Sequence, residues 1–316
     1  MLGSHLSISG GMVNALTEAE RLGMECVQVF TKNQRRWKVP PLKESDRTAW
    51  LEQLAQMGWD ELSELRTVSH NSYLINMASP DPEMQAKSIA LQREEIDRCE
   101  QLSIPLLVAH PGAHLGQARP RGETNQLGSG PNPDELEGLK RIVQALDGLH
   151  RDTAGTRTVT CLETTVGSGT NLGYDFDHLQ FIRANVQNPE RVGFCLDTCH
   201  VTAAGYDMST PDGAQSVLER FDESCGLENL LVVHLNDSLG SLGSRLDRHA
   251  HIGDGCCGEA CFRAVLSHKI LRDRPMILET AKEEAPDGRQ WDEVNLDRLR
   301  AVGPQEAAGA AREDSS

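Results

Sequence analysis

Eight short apolar runs divide the chain, and most of them close on a polar residue able to do chemistry. They are LGSHLS with His5, CVQVFT with Thr31, TVSHNS with His70, LLVAHP with His110, VTCLET with Glu163, VGFCLDTCH with Asp197 and His200, LLVVHLND with His234, and PMILET with Glu279. The runs carry Val, Leu, Ile and Phe with little polar alternation, as strands covered on both faces do. Between them, residues 12–22, 44–57, 83–103, 134–150, 175–185, 211–225 and 258–271 read as helices. Ser79 and Asp81 offer capping side chains to the third, where Ile89, Ile96 and Cys99 share a face. Alternating strands and helices predict a parallel sheet. Eight repeats predict a closed (β/α)8 TIM barrel rather than an open doubly wound sheet, and no GxGxxG follows an early strand. Such barrels build their sites at the C-terminal strand ends, where the His, Asp and Glu residues lie.

The 316 residues suit one barrel. Residues 1–302 are expected to form a single catalytic domain. Residues 303–316 (GPQEAAGAAREDSS) lack apolar periodicity and predict a disordered tail. Two other stretches read as irregular loops, 116–133 and 236–258, both on the face where the strands end. No apolar run approaches the length that spans a bilayer, and the N-terminus has no basic segment leading into an apolar one. The nine cysteines, including Cys26, Cys161 and Cys195 inside strand runs, predict buried reduced thiols in a cytoplasmic protein. A net charge of −16 weighs against a broad nucleic-acid surface. Divalent cations offset clustered carboxylates locally, however, and only the face meeting a ligand needs positive charge.

The strand-end residues His70, His110, Glu163, Asp197, His234 and Glu279 would converge in one ring. Three carboxylates so placed repel one another and lose solvation, a cost that metal ions remove. A second set lies on the loops: Asp197 and His200 in LDTCH, and Asp247 and His249 in DRH, two apart so that both can face one cation. His-rich ligation with bridging carboxylates suits zinc in a multinuclear centre. His5, His114, His178 and His251 read as supporting or structural, His150 and His268 as helix-surface residues. The CCxxxC cluster of Cys256, Cys257 and Cys261 lacks the paired spacing of a zinc site and reads as incidental. The loop after the second run, TKNQRRWK, sets Lys32, Arg35, Arg36 and Lys38 around Trp37. The loop after the third, HNSYLIN, sets Tyr73 and Leu74 beside His70. Basic charge interleaved with aromatic and apolar side chains suits insertion into a base stack, and Arg245 and Arg248 add charge beside Asp247 and His249.

FTKNQRRW, SHNSYLINMASP, AHPGAHLG, LETTVGSGTNLG, VGFCLDTCHVTAAGYD, HLNDSLGSLGSRLDRHAHIGDG and PMILET together resemble the endonuclease IV family of apurinic/apyrimidinic endonucleases, over about residues 2–280. The resemblance implies a barrel with three zinc ions that hydrolyses the phosphodiester 5′ to an abasic site in duplex DNA, leaving a 3′-hydroxyl and a 5′-deoxyribose phosphate. One zinc would take His70, His110 and Glu163; a second Glu163, Asp197, His234 and Glu279; a third His200, Asp247 and His249. Glu163 and Glu279 would be the catalytic carboxylates. Arg35, Tyr73 and Leu74 match the positions that enter the duplex at the lesion. A monomer suffices for this chemistry. One departure is Thr164 and Thr165 after Glu163, where many relatives carry an Asn. The rival readings are a metal-dependent sugar isomerase or epimerase of the related barrel superfamily, which has no need of the third His-rich set, and a non-catalytic lesion binder, which has no need of a full ligand set.

Overall fold

The structure is a computed structural model that describes residues 1–304 apart from 39, 62–63, 119 and 121–122. Residues 305–316, nearly all of the expected tail, lie outside the described residues.

Eight parallel strands close into a barrel: β1 (Leu2–His5), β2 (Cys26–Val29), β3 (Thr67–His70), β4 (Leu106–Ala109), β5 (Val159–Glu163), β6 (Val192–Asp197), β7 (Leu230–His234) and β10 (Met276–Leu278). Each follows its predecessor around the ring, and β1 pairs with both β2 and β10. The helices of the ring are α1 (Val13–Arg21), α2 (Glu44–Met57), α3 (Pro82–Gln101), α4 (Pro133–Asp152), α5 (Phe176–Asn185), α7 (Pro211–Cys225), α8 (Glu259–Ser267) and α9 (Trp291–Val302). A short α6 (Thr198–Ala204) follows β6, and a two-stranded hairpin, β8 (Asp237–Ser238) with β9 (His249–Ala250), follows β7. Among the described residues no helix is long and apolar enough to cross a membrane.

The core has two shells. Cys26, Val68, Leu106, Val108, Cys161, Cys195, Val232 and Ile277 fill the barrel interior, and a larger apolar layer lies between strands and helices. Burial on both faces explains why the strand runs lack polar alternation. All nine cysteines are free, and all but Cys256 are buried. β1 carries a glycine at position 3 because β2 leaves no room: a Cβ there would sit 2.0 Å from the Cys26 carbonyl oxygen.

Helix starts follow local chemistry. Asp81 Oδ1 accepts from the Glu83 and Met84 N–H groups at 2.9 and 3.3 Å, with Pro82 opening α3. Asn132 and Glu135 cap α4 reciprocally. Two helices escape the sequence pattern. The seven residues of α6 are too few for a periodic stripe, and they leave β6 without a loop because Asp197 Oδ1 accepts from His200 N at 2.8 Å. α9 buries Val294, Leu296 and Leu299, but its charged residues obscure that face. One expectation is corrected. His150, read as a surface residue, is buried. It continues the inward stripe of Ile142 and Leu146 at four-residue spacing.

Candidate metal centre

Parallel pairing with small stagger brings the chemistry to one rim. Asp197 on β6 pairs with His234 on β7, and Glu163 on β5 with Cys195. Glu163, Asp197 and His234 are fully buried and His70 nearly so. Glu163 sits at the centre. Its Oε2 lies 3.1 Å from His70 Nε2 and 2.9 Å from His110 Nε2. Its Oε1 lies 3.0 Å from His234 Nδ1.

Five groups of potential ligand atoms emerge among the described residues, each with its members within 4.8 Å of one another: His70, His110 and Glu163; Glu163, Asp197, His234 and Glu279; His200, Asp247 and His249; and two that bring in a buried thiol, Cys195 with Glu163 and His234, and Cys199 with Asp197 and His249. All nine residues singled out in the sequence are therefore brought together, in the groupings that the resemblance implies. His234 Nδ1 is 3.2 Å from Glu279 Oε2 and 3.8 Å from Asp197 Oδ2. In the third group Asp247 Oδ1 lies 3.3 Å from His200 Nε2 and 3.7 Å from His249 Nε2. Two ligands on a tetrahedral zinc, each about 2.0–2.1 Å from the ion, stand roughly 3.3 Å apart. The donor spacings here are of that size. His249 Nε2 is buried with no hydrogen-bond partner among the described residues, as an imidazole nitrogen reserved for an ion would be. The donor set thus fits zinc.

The far sides of the ligands are fixed. His70 Nδ1 lies 2.9 Å from the Asn71 carbonyl oxygen, His200 Nδ1 2.8 Å from that of Thr164, and His249 Nδ1 3.1 Å from that of Glu279. Carbonyl acceptors of this kind set the ring tautomer and orientation. Thr164, the departure noted in the sequence, keeps a supporting part: its hydroxyl accepts from Asp197 N at 2.9 Å. Asn236 Nδ2 donates to Asp197 Oδ2 at 2.7 Å, and Glu279 N donates to Asn236 Oδ1 at 2.7 Å.

Electrostatics point the same way. Burial alone would raise the Glu163 carboxyl, but His110 and His234 hold it well below the usual carboxylate range. Burial opposes ionisation of Glu279 too, and His234 again pulls it well down. The reverse holds for His200, which burial would lower and Asp197 pushes well above its ordinary value. The carboxylates thus demand positive charge at the rim. A divalent cation would supply it.

A cavity of about 600 Å³ opens beside the ligands, lined in part by His5, Phe30, Gln34, Tyr73, His249 and Glu279. Tyr73 is 66 % exposed at its mouth, its ring 5.8 Å from Phe30 and 6.0 Å from His70. Arg35 is exposed on the loop after β2. Leu74, expected beside Tyr73 as an inserting side chain, is half-buried and packs against the core. Two basic residues differ from expectation. Lys32 is buried, its Nζ 3.0 Å from Glu95 Oε1. Arg245 spends its guanidinium on carbonyl oxygens of Gly167 and Glu123, at 2.8 and 3.2 Å, and so ties the loops after β5 and β4 to the one after β7. Of the cysteine cluster, Cys257 donates to the Thr198 carbonyl oxygen at 3.4 Å and joins no ligand group.

Gln28 and Glu95 are functional candidates that the sequence pattern does not single out. Gln28 is a polar residue in the middle of the apolar run of β2, and that is its signal; Glu95, on the inner face of α3 amid Gln92, Glu94 and Asp97, gives none.

Comparison with known proteins agrees. The profile of the Xylose isomerase-like TIM barrel family matches residues 16–301. A protein named probable endonuclease 4 from Chloroflexus aurantiacus is 41 % identical over 300 residues, covering 95 % of this chain and 97 % of that one. Its counterpart in Geobacter sulfurreducens is 39 % identical over 301 residues, covering 95 % and 94 %. The crystal structure of endonuclease IV from Thermus thermophilus superposes with a TM-score of 0.77 at 33 % identity, covering 95 % of this chain and 98 % of that one. With motifs, fold and ligand groups in agreement, the chain belongs to the endonuclease IV family.

Proposed function

We propose that this protein is a zinc-dependent endonuclease of base excision repair. It would hydrolyse the phosphodiester 5′ to an abasic site in duplex DNA and leave a 3′-hydroxyl and a 5′-deoxyribose phosphate. The observation that carries the reading is the third ligand group, His200, Asp247 and His249, set beside the other two and below an exposed tyrosine. A sugar isomerase of the related barrels has no use for that group. Names of 41 % identical relatives support the same reading.

His70, His110, Glu163, Asp197, His200, His234, Asp247, His249 and Glu279 would hold three ions. Bound zinc there supplies a Lewis acid for the phosphate and lowers the pKa of water near neutrality. The chain's own residues do the rest. Glu163, shared by two groups, and Glu279 at the cavity wall would be the catalytic carboxylates, with Glu279 orienting the attacking water. Arg35, Tyr73 and the half-buried Leu74 would contact the duplex at the lesion. An unpaired, unstacked nucleotide costs least to extrude, so the cavity would select it. The single barrel of residues 1–302 contains every group this chemistry needs, so a monomer suffices. Eight buried free thiols suit a reducing cytoplasm.

Glu279→Gln tests the assignment. It should abolish incision while leaving affinity for abasic duplex within a few-fold. Retained turnover would refute the role of Glu279.

A further inference from the structure

Gln28 is wholly buried in the middle of β2, where strand neighbours on both sides of it are apolar. A buried amide is costly unless its hydrogen bonds are made, and Gln28 makes three. Its Nε2 lies 2.6 Å from Glu279 Oε1 and 3.0 Å from His5 Nδ1, and its Oε1 lies 2.9 Å from His234 Nε2.

The contacts of Gln28 fix where its own amide hydrogens and the Nε2 hydrogen of His234 must lie. The Glu279 carboxylate presents lone pairs, so the Gln28 amide must turn its NH2 towards it. The amide oxygen then faces His234 Nε2, which must carry a hydrogen to meet it. With Nε2 protonated, the free lone pair of a neutral His234 belongs to Nδ1, the atom that faces Glu163, Asp197 and Glu279. The same Nε2 of Gln28 lies 3.0 Å from His5 Nδ1, which is itself 3.3 Å from Glu279 Oε1.

We propose that Gln28 is a positioning residue for the second ligand group: it selects the Nε2–H tautomer of His234 and orients the Glu279 carboxylate from behind. This rests on the proposed metal chemistry only in assigning an ion to that group. Groups that orient a ligand from its far side typically contribute roughly 10- to 100-fold in metal affinity.

The test is a zinc competition against a chromophoric chelator, run beside 1H–15N spectra of 15N-histidine-labelled, zinc-loaded protein. In the parent His234 should show a slowly exchanging Nε2–H. Gln28→Leu keeps the bulk and removes the amide. It should lose roughly 10- to 100-fold in affinity at one of three sites, and the His234 Nε2–H should exchange rapidly. Gln28→Glu separates the two halves of the contact. It still accepts from His234 and should preserve the Nε2–H, but it sets a second carboxylate against Glu279 and should weaken the ion. If Gln28→Leu, folded by circular dichroism, holds all ions as the parent does and keeps the protected Nε2–H, the proposal is overturned. If the parent binds no zinc, the metal reading fails instead. The His234 Nε2–H would then decide the role of Gln28 alone, its protection in the parent and loss in Gln28→Leu supporting it and no difference overturning it.

Discussion

The Lys32 ammonium and the Glu95 carboxylate meet at 3.0 Å with both side chains almost wholly buried, beneath the loops that carry Arg35 and Tyr73. Glu95 also accepts from Thr31 Oγ1 at 3.0 Å and from Ser72 N at 3.2 Å, and the Ser72 hydroxyl donates to the Gln34 carbonyl oxygen at 2.6 Å. One carboxylate on α3 thus ties together the two loops that would grip DNA.

Glu95→Leu should therefore leave a buried ammonium unpaired and cost about 3–5 kcal/mol of stability. Lys32→Met with Glu95→Leu should recover much of that loss, as apolar replacement of a whole buried pair often does. Thermal melts of the two variants check this. If the double variant is no more stable than Glu95→Leu alone, the two residues are not coupled.

Tyr73→Ala with Leu74→Ala should weaken binding to abasic duplex more than to intact duplex, because Tyr73 stands exposed at the cavity mouth. Fluorescence titrations with both duplexes measure the ratio. Equal losses would mean that these residues do not read the lesion. Binding should also fall with salt, with a slope set by the number of phosphates that the basic loop residues contact.

The ring of His150 is held neutral. Burial, aided by the nearby Arg191 charge, lowers its pKa to about 4, and neither ring nitrogen has a hydrogen-bond partner among the described residues. Because the folded pKa lies below the ordinary 6.5, the fold favours the neutral form. This contribution is fully present above pH 6.5 and is lost as pH falls towards 4. His150→Leu should consequently melt progressively closer to, or above, the parent as the pH drops from about 7.5 to about 5. A gap in melting temperature that stays constant with pH would contradict a neutral buried ring.

His200→Ala removes one ligand from the third group. Metal content should fall from three ions to two per chain, and chelation of the parent should lower its melting temperature. Re-adding zinc to about 100 times its dissociation constant should restore about 2.7 kcal/mol. Unchanged metal content in the variant would place the third ion elsewhere.

The barrel is legible because its strand runs are largely apolar and most of them close near a His, Asp or Glu. The ligand set was legible because the residue types, convergence at strand ends and long motifs agreed. What escaped depends on contacts distant in sequence. Gln28 gains its meaning only from His234 and Glu279, more than 200 residues away. Lys32 looks like one more basic loop residue until Glu95 is placed beneath it. Arg245 likewise looks free until the backbone of the loop after β4 folds over it. His150 is buried against expectation because it continues the inward stripe of Ile142 and Leu146 at four-residue spacing, which its polar type hides.

The central claim is tested most directly by incubating the protein with a duplex bearing one synthetic abasic site, with zinc measured on the same preparation before and after exhaustive chelation. Incision 5′ to the lesion by protein holding three zinc ions, lost on chelation and regained with zinc, is the predicted result. Protein that holds three zinc ions yet leaves the abasic duplex intact would contradict it.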